Sequence, residues 1–184
     1  MVRALLDGSK TQTRRVIKAT EVADAQSLGT KAICCPYAEG QKLWVRETCR
    51  AEELPGGQDG VRYEADGAFV PIKNSRTAAE QWIDLNAYRG LVGAQVPPIH
   101  MPRWACRLEL EITNVCIERL QDIGGANAIA EGVHSGSWEY DNGEGTETAR
   151  ESYQCLWDNL NAARGYGWDA NPWVWVVQFR TDAT

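Results

Sequence analysis

The sequence predicts a mainly β protein of the α+β class, a compact small barrel with short helices and loop insertions. Residues 43–48 and 173–179 are rich in residue types that favour extended backbone. Residues 106–113 alternate between apolar and polar side chains, which is typical of a half-buried antiparallel strand. Helical periodicity is confined to short, isolated stretches between the strands. This order favours a barrel with added helices over a doubly wound sheet.

The first half of the chain combines short elements with turn signals. Val2, Leu5 and Leu6 occupy one side of a short helix that Gly8 can end. Threonine and β-branched residues favour a strand after it, and Pro, Gly and Asp mark turns between 55 and 60. The expected elements are a helix at 1–8, a strand at 10–18, a surface excursion at 19–40, strands at 43–48 and 61–63, and a helix at 77–88.

The second half is predicted to contain two stronger strands and two helices. Tyr153, Leu156, Trp157 and Leu160 follow the i, i+3, i+4, i+7 spacing of an amphipathic helix. The last strand is apolar on both faces, so we expect it to be central and buried. The expected elements are a strand at 106–113, a helix at 124–131, an acidic loop at 135–148, a helix around 153–160 and a strand at 173–179.

Length and charge limit the class of protein. A chain of 184 residues suits a single domain, 1–184. Its longest apolar run, 173–177, is far shorter than the roughly 20 residues of a membrane-spanning helix. The net charge of -6 argues against a protein that coats duplex nucleic acid. We therefore expect a cytoplasmic protein without a membrane partner.

The six cysteines do not have the spacing of a zinc site. Two are adjacent, none form a C-x-x-C pair, and the chain has two histidines. A site built from Cys34, Cys35 and Cys49 with one histidine is the alternative. The pattern favours small buried apolar residues in a reducing compartment. We expect no metal and no cofactor.

The strongest local feature is the basic segment around residues 10–15, KTQTRR. Between residues 3 and 18, five basic residues and one acidic residue give a local charge of +4 in an acidic chain. Such a segment indicates a localised anionic ligand, a phosphate or a short single strand, or else a solvated basic strand edge. Lys10 lies three residues before Thr13, and a lysine with a lowered pKa can act as a base toward a hydroxyl.

Several blocks, in order along most of the chain, match a known pattern. They are 8–15 (GSKTQTRR), 40–47 (GQKLWVRE), 99–105 (IHMPRWA), 118–123 (ERLQDI), 130–132 (AEG) and 168–175 (WDANPWVW). Together they resemble the ASCH family, a branch of the PUA-like barrel superfamily, and are most similar to a prophage-type subgroup. The resemblance implies a small β-barrel that binds RNA or modified nucleosides.

One branch of that family hydrolyses the acetyl amide of 4-N-acetylcytidine. The resemblance then implies that Lys10 is the proton acceptor, Thr13 the nucleophile and Glu131 the proton donor. For Glu131 the alternative is a solvated residue on the last helical turn. Trp104 can stack on a base or simply pack. We expect a nucleoside or short single-stranded RNA as the partner, and a substrate-binding set of Arg14, Arg15, Arg46, Arg103 and Trp104.

The sequence also departs from the family. Relatives usually carry a short strand ahead of the first helix, and we expect that strand to be either absent here or lost through the choice of start site, which would leave an open sheet edge. Insertions at about 50–98 and 135–152 enlarge the chain relative to the small catalytic members. The alternative functions are a non-catalytic RNA-binding module and a metal-independent ribonuclease.

Overall fold

A computed structural model describes residues 1–17, 35–133, 137–140, 143–146 and 148–182. The chain divides into two compact units, one made mainly of Arg3–Leu43 and Leu110–Asp182 and the other of Trp44–Glu109. We call them unit 1 and unit 2. The prediction of a single domain with insertions at about 50–98 and 135–152 stays a prediction.

The described residues form a mixture of strands and short helices, which confirms the α+β class. The helices are α1 (Val2–Leu6), α2 (Arg76–Asn86), α3 (Gly125–Ala130) and α4 (Ala149–Asn161). The strands are β1 (Gln12–Val16), β2 (Lys42–Trp44), β3 (Cys49–Glu53), β4 (Asp59–Tyr63), β5 (Phe69–Pro71), β6 (Glu109–Arg119), β7 (Ser137–Tyr140), β8 (Gly143–Thr146) and β9 (Trp173–Asp182).

The main sheet is antiparallel, curled like half a barrel, with the strand order β1-β9-β6-β2. In the β1–β9 pair, Thr13 lies opposite Val177 and Arg14 opposite Val176. Directly paired residues share a face of the sheet and neighbouring residues alternate between faces. Thr13 and Arg14 therefore belong to opposite faces of β1.

The two faces of β9 contribute to different apolar cores of unit 1. Val174 and Val176 pack with residues of α3 and α4, among them Ala128, Tyr153 and Trp157. On the opposite face, a second core consists of Ile17, Ile112, Trp175 and Val177. The prediction of a buried strand, apolar on both faces, is confirmed. We call the side of β1 that carries Arg14 its helix face, because the α3–α4 core lies on that side.

Unit 2 consists of the sheet β3-β4-β5 and helix α2 around its own core. The Trp82 indole of α2 donates a hydrogen bond to the Gly60 carbonyl, 2.8 Å away. The Tyr63 hydroxyl likewise donates to the Ala105 carbonyl at 2.6 Å. The buried residues of this core are Cys49, Ala51, Val61, Tyr63, Trp82, Leu85, Val96, Met101 and Ala105.

Several element boundaries differ from the sequence prediction. The strand expected at 43–48 ends at Trp44, and β3 begins only at Cys49. The strand expected at 106–113 runs from 109 to 119. Leu110 and Ile112 within it, and Leu108 just before it, are buried and keep the predicted alternation. The acidic loop contains the β7–β8 hairpin. Where each strand begins and ends depends on its pairing with strands distant in sequence. Local residue propensities do not predict that pairing. The surface excursion predicted at 19–40 lies largely outside the described residues.

Each helix in the described part of the chain is too short or too polar to cross a bilayer.

Candidate functional site

Lys10 occupies a buried position just before β1. Its backbone N–H donates to the Ala4 carbonyl at 2.7 Å, which ties it to α1. Its ammonium donates to the Gln12 carbonyl at 2.9 Å, the Glu131 carbonyl at 2.7 Å and Glu131 Oε2 at 3.0 Å. An ammonium has three donors, so these oxygens account for all of them. The Lys10 side chain is thus fixed and nearly inaccessible to water.

Glu131 reaches the same place from the end of α3. It is the C-cap residue of that helix, and Gly132 follows with a φ of +84°. A helix that ends in a left-handed glycine turns the chain sharply, which here brings Glu131 beside Lys10 as an isolated antiparallel bridge. The adjacent Thr11 N–H donates to the Ala130 carbonyl at 2.9 Å. Glu131 is only 2% exposed, so it is not a solvated residue on the last helical turn.

Arg14 supplies a second cation to the Glu131 carboxylate. Its Nη1 lies 3.1 Å from Glu131 Oε1 and its Nη2 lies 3.1 Å from Glu118 Oε2. The Arg14 side chain is fully buried, whereas that of Glu118 is 33% exposed. The Arg14 Nε has no hydrogen-bond partner among the described residues. One guanidinium therefore connects a buried carboxylate to a half-exposed one.

Burial shifts the two members of the Lys10–Glu131 pair in opposite directions. Desolvation lowers the pKa of Lys10 against the opposing effect of Glu131, and the charges of Arg15 and Arg14 lower it further. Desolvation raises the pKa of Glu131 against the effects of Lys10 and Arg14. Both shifts reduce the cost of moving a proton from the ammonium to the carboxylate.

Thr13 and Arg15 lie on the face of β1 opposite Arg14. Thr13 is half-buried and Arg15 is exposed. The three acceptors of the Lys10 ammonium do not include the Thr13 hydroxyl. Of the three residues assigned to catalysis from sequence, the structure therefore brings Lys10 and Glu131 into contact and leaves Thr13 on another face.

The basic segment is less exposed than its sequence indicates. Lys10 and Arg14 are buried against Glu131 and Glu118, so carboxylates offset two of its five positive charges. Arg3 and Arg15 are exposed. The fifth basic residue, at position 18, lies outside the described residues. Two basic residues of the segment thus belong to an internal charge network, and two are exposed.

The other predicted binding residues belong to unit 2. The Arg46 guanidinium lies 4.6 Å from the ring centroid of Trp44, and that of Arg103 lies 5.4 Å from it. Both arginines are exposed, and Arg103 also pairs with Glu109 at 2.5 Å. Trp104 is half-buried and packs against the unit 2 core. We call Trp44, Arg46 and Arg103 the Arg–Trp surface.

Sequence reasoning missed the buried ion network of unit 2. Glu47 is 1% exposed, and both of its oxygens accept from Arg107, at 2.9 and 2.6 Å. Arg107 also makes two hydrogen bonds to Asp66, at 2.8 and 2.9 Å. Glu47 falls in one of the family-like blocks, but its partner is 60 residues away. Only the tertiary fold identifies such a pair.

The described residues contain no cluster of three or more His, Cys, Asp or Glu side chains suited to a metal ion. Unit 1 therefore contains a buried acid–base pair, and unit 2 contains two exposed arginines beside the half-buried Trp44 ring. No protein-family model, curated protein or solved structure matches this chain.

Proposed function

We propose that this protein is an ASCH-like amidohydrolase that removes the acyl group from an N-acylated cytidine, free or within RNA. The observation that supports the proposal is the buried contact between Lys10 Nζ and Glu131 Oε2, 3.0 Å apart. A lysine that serves as a base must lose its proton, and a glutamate that serves as an acid must hold one. The pKa shifts of Lys10 and Glu131 both favour that arrangement.

The proposed reaction proceeds in two steps. Lys10 takes the proton of the Thr13 hydroxyl as the threonine oxygen attacks the amide carbonyl, and the carbonyl π electrons move to its oxygen. Glu131 then protonates the cytidine amine as the C–N bond breaks, which leaves an acyl-threonine. Water hydrolyses this ester and releases the carboxylic acid. Because Thr13 lies on the opposite face of β1, its hydroxyl must approach Lys10 when substrate binds.

The test is hydrolysis of 4-N-acetylcytidine, with acetate and cytidine measured as products. Glu131→Gln keeps the shape of the side chain but removes the acid, and we expect kcat to fall by about 10² to 10⁴. Thr13→Val removes the nucleophile, whereas Thr11→Val removes a neighbouring exposed hydroxyl and serves as the matched control. A wild-type protein without turnover, or a Thr13→Val variant as active as Thr11→Val, would contradict the proposal.

The second candidate is a non-catalytic RNA-binding module, and the Arg–Trp surface favours it. A half-buried aromatic ring flanked by exposed guanidinium groups suits a stacked base and nearby phosphates. Arg46→Ala and Arg103→Ala should each weaken the binding of a short single-stranded RNA in fluorescence anisotropy. Each should also reduce the slope of log K against log salt by about 0.7.

Arg76→Ala is the matched control for that binding experiment, because Arg76 is 93% exposed and also belongs to unit 2. Binding weakened equally by all three substitutions would reject the Arg–Trp surface as the binding site. Shortened RNA products in a chelator-containing buffer would instead indicate the metal-independent ribonuclease.

A further inference from the structure

We propose that Arg14 and Glu118 are positioning residues that hold the Glu131 carboxylate in place and control its charge from the protein surface. The inference deepens the proposed function, on which its catalytic meaning rests. Through Arg14, the half-exposed Glu118 side chain acts on the buried Glu131 carboxylate. Neither residue is assigned a role in proton transfer by the reaction proposed above.

The geometry fixes Glu131 from two sides. Lys10 binds Oε2 at 3.0 Å and Arg14 binds Oε1 at 3.1 Å, so each oxygen of the carboxylate has its own cation. A carboxylate held at both oxygens cannot rotate without breaking an ion pair. The side chains of Lys10 and Glu131 are 6% and 3% exposed, so water offers little compensation. Arg14 thus defines which oxygen of Glu131 remains next to Lys10.

Glu118 divides the charge of Arg14 between two carboxylates. Its Oε2 accepts from Nη2 of the same guanidinium that binds Glu131 through Nη1. The Glu118 charge therefore weakens the field of Arg14 at Glu131. Because the Glu118 side chain is 33% exposed, ions or ligands in solvent can reach it.

Other titratable groups surround the Glu131 carboxylate and must be considered with it. Burial raises the pKa of the Cys116 thiol, and Glu118 raises it further. Burial, followed by the charge of Glu131, raises the pKa of the Tyr153 hydroxyl. Both groups are therefore neutral near pH 7. The cations that act on the Lys10–Glu131 pair from outside it are Arg14 and Arg15, and Glu118 contacts Arg14.

Two substitutions should move the Glu131 pKa in opposite directions. Glu118→Gln keeps an acceptor for Arg14 but removes a negative charge, so more of the Arg14 field acts on Glu131 and its pKa falls. Arg14→Gln removes a positive charge beside Glu131, so its pKa rises. A general loosening of the fold would admit water in both variants and shift the pKa in the same direction. Opposite signs of the Glu131 pKa shift in the two variants would indicate charge control, and equal signs would indicate structural disturbance.

The experiment is a pH titration of the carboxyl ¹³C resonances of the full chain by NMR, with Glu131→Gln used to assign the Glu131 signal. Glu111→Gln is the matched control, because Glu111 is also on β6, is 25% exposed and pairs with an arginine, Arg180. We expect the Glu131 pKa to fall in Glu118→Gln, rise in Arg14→Gln and stay unchanged in Glu111→Gln. If Arg14→Gln does not fold, the Glu131 pKa in Glu118→Gln is compared with that in Glu111→Gln, and a fall only in Glu118→Gln supports charge control.

An unchanged Glu131 pKa in Glu118→Gln, or one that shifts equally in Glu111→Gln, overturns the inference. A pH profile of 4-N-acetylcytidine hydrolysis gives the second readout. Its acidic limb reflects protonation of the pair, so it should move to lower pH in Glu118→Gln. The expected NMR shifts without any hydrolysis would support charge control by Arg14 and Glu118 and reject the proposed function, so the two can fail separately.

Discussion

Lys10 Nζ lies 3.0 Å from Glu131 Oε2, and these two side chains, 121 residues apart in the chain, are 6% and 3% exposed. The contact joins the start of β1 to the end of α3. Removing two charges from water is costly, and their mutual attraction offsets that cost only when both are present with further hydrogen bonds. Lys10 and Glu131 should therefore affect folding as well as chemistry.

The first prediction concerns the loss of one member of this pair. Lys10→Met leaves the Glu131 carboxylate buried with Arg14 as its remaining cation. We expect the free energy of unfolding to fall by about 3 kcal/mol. Urea titration followed by the fluorescence of the eight tryptophans measures it. Lys73→Met, at an exposed position, should change it by less than about 0.5 kcal/mol.

A double substitution tests whether Lys10 and Glu131 act together. In Lys10→Met with Glu131→Gln, the uncompensated charge is gone. The double variant should therefore lose at least about 1 kcal/mol less than the two single losses combined. Strictly additive losses would show that the two residues stabilise the fold independently.

The main elements follow from local sequence, whereas the connections at the site do not. The spacing of Tyr153 and Trp157 predicts α4, and alternation around Leu110 predicts the buried face of β6. Which face of β1 meets a helix depends on its pairing with β9. That pairing is a long-range choice, so the sequence around Lys10 predicts an anionic-ligand site or a solvated strand edge and does not predict a buried ion network.

The arrangement of the candidate site likewise cannot be predicted from local sequence. A family resemblance can assign catalytic roles to Lys10, Thr13 and Glu131, because it compares the types of residues and their order along the chain. It does not reveal that Arg14 is fully buried or that Glu118 shares its guanidinium. Those facts depend on tertiary contacts between residues more than 100 positions apart.

The second prediction concerns the buried ion network of unit 2. Arg107→Lys replaces a planar group that binds Glu47 and Asp66, each through two hydrogen bonds, with a single ammonium. We expect the free energy of unfolding to fall by about 2–3 kcal/mol, because Glu47 remains buried with fewer partners. Urea unfolding measures the change. Arg76→Lys, in an exposed pair with Glu80, should be close to neutral. Equal effects would show that the buried network is no more stabilising than a surface pair.

The third prediction concerns the close approach at Gly132. A Cβ there would lie 3.0 Å from the Ala4 Cβ and 3.1 Å from the Lys10 Cβ, at a φ of +84°. A left-handed alanine alone costs about 1–2 kcal/mol of folding free energy. Gly132→Ala should destabilise the protein by more than that, and its thermal midpoint should therefore fall further than that of a left-handed alanine in open space. Gly165→Ala is the control, since Gly165 has a φ of +81° but open space around its Cβ position. Calorimetry of both variants compares them, and equal losses would show that the chain accommodates the methyl group beside Lys10.

The last prediction concerns the pH dependence of the Cys49 thiol, which is 1% exposed. Burial, and then the Glu47 charge, raise its pKa from 9.0 to about 11. Between these pH values the unfolded thiol ionises while the folded thiol keeps its proton, so unfolding releases a proton. The free energy of unfolding should therefore fall as pH rises through this window, by up to about 1.4 kcal/mol per unit from this group. Below pH 9 the contribution is fully retained.

Cys49→Ala should show a shallower decline across that window in urea titrations at several pH values. Cys155→Ala is the control, because Cys155 is exposed and its removal should leave the slope of the wild type unchanged. In the wild type, a thiol reagent should modify Cys155 rapidly at pH 8 and reach Cys49 only at the rate of unfolding. Parallel slopes for Cys49→Ala and the wild type would mean that the buried thiol does not hold its proton more tightly in the folded protein.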